Sequence, residues 1–284
     1  MYSFADGTLT PFQPQAGRVF ALGLTYADHI RETGEKGDKP VIFMKSCVPD
    51  VTPASVSTPD AAAMVAAIAN IDSTLAKWLP GRFSPLPALL DYEVELGMVL
   101  LDDCKSGDLA TPAGMPRVGF FLANDITARS VQVAGQGSER RLDFWAASKS
   151  LPGFLPVANQ VWCPATPSAD KLPNVTLKTL VNGELRQSAP TSNIIYSPLQ
   201  MLQLVSQSAP GGRLRAGDII LTGTPAGVAM SVPRWKRLLG SLMPRRTVIE
   251  KGIGGSINNP KFLRPGDTLQ VSADWLGSFS LSIR

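Results

Sequence analysis

The stretch Asp91-Tyr92-Glu93-Val94-Glu95-Leu96-Gly97-Met98-Val99-Leu100-Leu101 decides how this chain is read. Side chains alternate along a strand with a period of two. Asp91, Glu93 and Glu95 therefore share one face, and Tyr92, Val94 and Leu96 share the other. Three acids beside apolar neighbours repel one another and resist leaving water. Two readings are open at this point. The face is solvated at a sheet edge, or the carboxylates converge on a divalent cation that removes the conflict.

Further along, Val118-Gly119-Phe120-Phe121-Leu122-Ala123-Asn124-Asp125 reads as an apolar strand with an abrupt polar end, and Ile126 to Val133 follows in a helical pattern. Asp125 suits a helix N-cap, and it equally suits a metal ligand at the end of a buried strand. Glu93, Glu95 and Asp125 together would give an all-oxygen donor set. That set fits Mg²⁺, Mn²⁺ or Ca²⁺ rather than zinc. His29 is the single histidine, so an imidazole base working near neutral pH can come only from there. Glu32, three residues on, would face it in a helical turn and orient the ring. The same spacing also occurs as an ordinary charge pair on a surface helix.

Taken in order, these segments resemble the fumarylacetoacetate hydrolase family. Gly23-Leu24-Thr25-Tyr26-Ala27-Asp28-His29, with Glu32, is similar to the family's N-terminal catalytic segment. Asp91 to Leu96 resembles its metal strand, and Asn124 to Gln132 the segment with its third metal ligand. Lys149 stands where the family carries an active-site lysine. Val181 to Gln187, Gly217 to Val228 and Leu263 to Asp267 match further signatures. The sequence also departs from the pattern. Ser130 replaces the usual acid after Arg129, Lys45 is followed by Ser46 instead of proline, and Lys149 runs into Ser150-Leu151-Pro152 instead of a Phe-Asp context. None of these is a proposed ligand, so they bear on the substrate more than on the metal.

The resemblance implies a β-rich α+β fold, a mixed β-sandwich roll with few helices, and a homodimer. It implies Mg²⁺ or Mn²⁺, with Ca²⁺ as a further option, held by Glu93, Glu95 and Asp125. His29 and Glu32 would activate water, and Lys149 would face a developing oxyanion. Tyr26, Gln132 and Thr224 would hydrogen-bond the substrate, a small anionic 2-oxo or 1,3-dicarbonyl acid. The implied activity is hydrolysis of a C–C bond in a short 2,4-dioxo acid, an acylpyruvate or fumarylacetoacetate-like compound, in the catabolism of aromatic compounds. The same metal site also serves 2-oxo acid isomerases, hydratases and decarboxylases of the oxaloacetate type. A catalytically inactive binding protein is a third class, which loss of a ligand would mark.

Composition bounds the rest. A chain of 284 residues with 44% hydrophobic content carries a substantial core without staples. Cys47, Cys104 and Cys163 are odd in number, scattered and without metal spacing, which points to a reducing, cytoplasmic compartment. Met1 to Thr10 has no basic-then-apolar leader pattern. The Ala-rich stretch 61–79 contains Asp72 and Lys77, so it reads as a helix and not a membrane span. A net charge of +4 without a recognition motif does not point to nucleic acid and mildly favours an anionic substrate. No Gly-x-Ser-x-Gly elbow marks a serine hydrolase.

The expected organisation is an N-terminal region, 1–80, and a catalytic core, 81–284. The first would hold the His29–Glu32 segment, a polar glycine-bearing lid from Thr33 to Pro40 and an inserted helix at 59–80. The core would carry an insertion at about 229–258. Its basic stretch, 234–251, reads as a solvated face or as a surface for an acidic partner or membrane headgroups. Strands are expected at 92–101, 117–123, 175–182, 218–222, 268–275 and 278–283, and helices at 126–134 and 197–206.

Overall fold

The computed structural model describes residues 1–15, 17–33, 40–230 and 243–284, without the side chains of His29, Glu32 and Thr33. The longer strands are β1 (Gly7–Pro11), β2 (Val19–Gly23), β3 (Val41–Lys45), β4 (Val94–Leu100), β5 (Val118–Asn124), β6 (Gln160–Pro164), β7 (Thr176–Val181), β8 (Glu184–Pro190), β9 (Ile219–Leu221), β10 (Thr268–Ala273) and β11 (Gly277–Ile283). They form two sheets. One runs β1-β6-β5-β4-β9-β2-β3, and the other runs β8-β7-β10-β11 and ends on the short strand Ser55–Val56. The mixed, β-rich architecture agrees with the sequence reading.

Residue pattern explains which strands sit where. Every residue of β4 and β5 is buried. Near-continuous apolar runs of this kind belong to strands covered on both faces. Their neighbours are close. β4 pairs with β5 from Val94↔Asn124 to Leu100↔Val118, and with β9 from Ile219↔Val99 to Leu221↔Gly97. At Gly97 a Cβ would lie 2.3 Å from the Phe121 ring, so only glycine lets that ring lie across the strand. By contrast, β7 and β10 alternate buried and wetter positions, the pattern of sheets with one face on the core. Leu177, Val181, Leu269 and Val271 from that face join Phe20, Leu96, Met98, Phe120 and Leu122 in one apolar cluster between the sheets. The other face of the first sheet buries Phe43, Val99, Phe121, Ala123, Ile219 and Leu221.

The α-helices among the described residues are α1 (Ala27–Thr33), α2 (Ala61–Ala69), α3 (Ser73–Trp78), α4 (Arg129–Ala134), α5 (Arg141–Ser148), α6 (Pro198–Ser208) and α7 (Arg245–Gly254). The single helix expected at 59–80 is two. Asp72 breaks it by accepting the Leu75 N–H at 2.9 Å and capping α3. The helix expected from Ile126 starts only at Arg129, because Thr127–Ala128 pairs with Leu90–Asp91. The pattern did not reveal α5, whose fully buried positions are only Phe144 and Ser148.

α7 lies on α4 and meets the 59–80 segment. Arg245 donates to the carbonyls of Ala134 (2.9 Å) and Gln136 (3.1 Å) and pairs with Asp72 at 2.9 Å. The Arg246 guanidinium lies over the Trp78 ring at 5.4 Å. These two arginines of the basic stretch are thus engaged within the fold; residues 231–242 lie outside the described residues.

Candidate metal centre and active site

The strand expected from residue 92 is interrupted. Leu90–Asp91 pairs with Thr127–Ala128, and β4 begins at Val94. Asp91 therefore does not share its task with Glu93 and Glu95, contrary to the alternation argument. Its carboxylate accepts the N–H groups of Tyr92 (2.9 Å), Ala229 (2.8 Å) and Met230 (3.0 Å), and the Nε–H of Arg129 at 2.7 Å.

Glu93, Glu95 and Asp125 do converge. Carboxylate oxygens of the three lie within 4.8 Å of one another, and all three residues are buried. The backbone explains the meeting. Asp125 immediately follows β5, and its N–H donates to the Glu93 carbonyl at 2.8 Å. Asn124 fixes the other side by accepting the Glu93 N–H at 2.9 Å. Asp125 is not the cap of α4, whose N-cap is Ala128. Glu95 Oε2 accepts the N–H of Gly223 at 2.8 Å, in the turn after β9. Gly223 has φ +91, and a Cβ there would sit 2.2 Å from Thr25 Oγ1, so the approach requires glycine.

Three buried cations face these acids. Lys149, at the C-cap of α5, donates to Glu93 Oε2 at 2.5 Å and Asp125 Oδ2 at 2.7 Å. Lys45, at the end of β3, pairs with Asp125 Oδ1 and donates to the Phe154 carbonyl at 3.1 Å. Arg129, the first residue of α4, reaches Glu93 Oε1 at 2.5 Å and Gln132 Oε1 at 2.7 Å. Among the described residues, Lys45, Arg129 and Lys149 thus stand against the four carboxylates Asp91, Glu93, Glu95 and Asp125, one positive charge short. The effect of burial shows at Glu95. Burial pushes its carboxyl well above the usual range, Asp125 adds to this, Lys149 opposes it and Glu93 pushes further up. At Lys149 burial pulls the ammonium down, but Asp125 and Glu93 outweigh it, and the group ends above its ordinary value. Hard oxygen donors with uncompensated negative charge, enclosed in protein, fit a divalent cation.

Of the other expected residues, Tyr26 feels the Glu95 charge, Gln132 touches Arg129, and Thr224 follows Gly223. The Tyr26 ring is fully buried, and its hydroxyl has no hydrogen-bond partner among the described residues. Burial, then Glu95 and Asp28, push that phenol well above its ordinary value. α1 starts directly after Tyr26, and Thr25 Oγ1 ties its entrance to the Thr222 carbonyl at 2.5 Å. The backbones of His29 and Glu32 belong to α1, but their side chains lie outside the described residues, as does 34–39 of the expected lid. The Gln132 side-chain oxygen accepts from Arg129. The Thr224 hydroxyl donates to the Val94 carbonyl (3.1 Å) and accepts from Gln187 Nε2 (2.9 Å).

Sequence reasoning gave no role to Lys45 or Arg129. Lys45 carried a usable signal. Val41-Ile42-Phe43-Met44-Lys45 is an apolar strand with an abrupt charged end, the same pattern that singled out Asp125.

The fumarylacetoacetate (FAA) hydrolase C-terminal family matches residues 18–284. An uncharacterised protein of Archaeoglobus fulgidus is 31% identical over 223 residues, 78% of this chain and 72% of that protein. Fumarylacetoacetate hydrolase from the psychrophile Exiguobacterium antarcticum superposes with a TM-score of 0.58 at 27% identity, over 97% of this chain and 77% of that one. Fumarylpyruvate hydrolase from Pseudomonas aeruginosa, solved with Mn²⁺ and pyruvate, has the same fold, with a TM-score of 0.63 at 18% identity over 98% and 96% of the two chains. With the family's span covering nearly the whole chain and its acidic segments meeting at one point, the chain belongs to the fumarylacetoacetate hydrolase family.

Proposed function

We propose that this protein is a divalent-metal-dependent hydrolase that cleaves a C–C bond in a short 2,4-dioxo acid such as an acylpyruvate. The observation that carries the reading is the convergence of Glu93, Glu95 and Asp125 with the Lys149 ammonium among them. Those three residues would hold Mg²⁺ or Mn²⁺, which when bound supplies Lewis-acid stabilisation of negative charge on the substrate's oxygens.

The chain's own groups do the remaining work. Lys149 adds a fixed positive charge in a water-poor site, where such charge is strongest. The Gln132 amide and the Tyr26 hydroxyl, unpartnered among the described residues, are donors for substrate oxygens. His29, oriented by Glu32, takes a proton from water. The hydroxide adds to the carbonyl distal to the 2-oxo acid, and the C–C bond breaks with its electron pair leaving on the 2-oxo acid fragment. The proton returns from His29 to that fragment, giving a carboxylic acid and a 2-oxo acid.

The test pairs binding with turnover. Purified protein with Mn²⁺ or Mg²⁺ should hydrolyse one or more of a panel of acylpyruvates, and EDTA should silence it. Glu93→Ala and Asp125→Ala should abolish both metal binding and activity. Undiminished Mn²⁺ affinity in either variant by titration calorimetry would overturn the ligand assignment. Turnover of oxaloacetate alone would overturn the hydrolytic reading and leave the metal site standing.

A further inference from the structure

Arg129 holds three different side chains with its three guanidinium nitrogens. Nε donates to Asp91 Oδ2 (2.7 Å), Nη1 to Gln132 Oε1 (2.7 Å) and Nη2 to Glu93 Oε1 (2.5 Å). The guanidinium is planar and its donors are fixed in a fork. Whatever holds one edge of the plane therefore sets the direction of the other two. Arg129 is buried, and so is Asp91.

Asp91 is the anchored edge. Besides Arg129 it accepts the N–H groups of Tyr92, Ala229 and Met230. The segment it grips is held again from the other side, where Asn259 Nδ2 donates to the Ala229 carbonyl at 2.9 Å. Asp91 thus joins rigid backbone to the guanidinium, and the guanidinium to Glu93 and Gln132. Without Asp91, Arg129 would turn towards the carboxylate that still attracts it, Glu93, and compete there with a cation.

We propose that Asp91 is a positioning residue for the metal centre, acting through Arg129 to hold Glu93 in a ligating orientation. This rests on the reading of Glu93, Glu95 and Asp125 as metal ligands. Groups that orient a ligand in this way are worth roughly 10–100-fold in metal affinity when removed.

A mutant cycle read by Mn²⁺ titration calorimetry tests it, with circular dichroism confirming the fold. Asp91→Asn should weaken Mn²⁺ binding about 10–100-fold. In an Arg129→Gln background the same change should cost less than about twofold, because the link it acts through is gone. An equal loss in both backgrounds would overturn the proposal, since it would mean that the Asp91 charge is felt through space. Wild-type affinity in Asp91→Asn would overturn it as well. If Asp91→Asn does not fold, Arg129→Lys carries the reading. It keeps the charge but has no planar fork, so it should show a comparable loss, and unchanged affinity would sink the proposal. A wild-type protein that binds no Mn²⁺ would refute the metal assignment itself, and this inference with it.

Discussion

Replacing Lys45 with methionine should destabilise the apo protein strongly and the metal-loaded protein much less. The Lys45 ammonium is fully buried beside Asp125, whose side chain is 2% exposed. Removing one partner of a buried pair costs about 3–5 kcal/mol when the other charge is left alone; Asp125 keeps Lys149 at 2.7 Å, so this is the upper bound here. Methionine keeps the length and apolar stem, so little of the loss would come from a cavity. The charge count around the site falls further short, from three cations against four carboxylates to two. A divalent ion bound by Asp125 supplies what the lysine supplied. If it restores only about 1.4 kcal/mol, the variant binds Mn²⁺ about tenfold more tightly than the wild type. Urea unfolding in EDTA and in saturating Mn²⁺, with calorimetric titration of both proteins, measures each side of this balance. A destabilisation of equal size with and without Mn²⁺, at unchanged Mn²⁺ affinity, would refute the reasoning, because it would mean that metal and lysine do not share Asp125.

The remaining expectations concern other parts of the molecule. His29→Ala should slow acylpyruvate hydrolysis on the order of 10²–10⁴-fold, the usual range for a general base, and should slow decarboxylation of oxaloacetate less; equal losses in steady-state assays would count against a water-activating role. Gly223→Ala should cost at least about 2 kcal/mol in urea unfolding, since it places a side chain in the left-handed region and against Thr25; an unchanged midpoint would show that the turn relaxes. Burial, with Asp108 contributing, pushes the Cys104 thiol up from 9.0 to about 11. A raised folded value means that its stabilising contribution is intact below pH 9 and is lost as pH climbs towards 11. Cys104→Ala should therefore lose stability less steeply than the wild type across that window, and parallel curves of urea midpoint against pH would refute this.

The sequence made the candidate ligands legible because they stand at or beside the ends of plainly apolar strands. β4 and β5 are long apolar runs, and acids interrupting them stand out. Asp91 was misread because alternation looks the same whether a strand is continuous or broken. The break comes from the pairing of Leu90–Asp91 with Thr127–Ala128, a contact no local pattern announces. Lys45 and Arg129 escaped for a related reason. Their partners lie 80 and 36 residues away, so the ion pairs exist only once the strands are in register. The split of the 59–80 helix was recoverable, since Asp72 is a good cap standing in an alanine-rich run.

The parallel pairing of β2 with β9 has a consequence for how the chain comes into being. Val19 lies against Ile219, and the adjoining Arg18 and Asp218 are joined by an ion pair across 200 residues. At about 5–20 residues per second a ribosome needs roughly 10–40 s to deliver the second strand after the first. For all that time one edge of β2, with Phe20 and Leu22, has no partner, and the Thr25–Thr222 tie that places α1 beside the acids does not exist. The centre is therefore completed only after Thr222 and Gly223 have been made. A nascent chain of this protein is a strand edge waiting for chaperone cover well before its acidic centre is assembled.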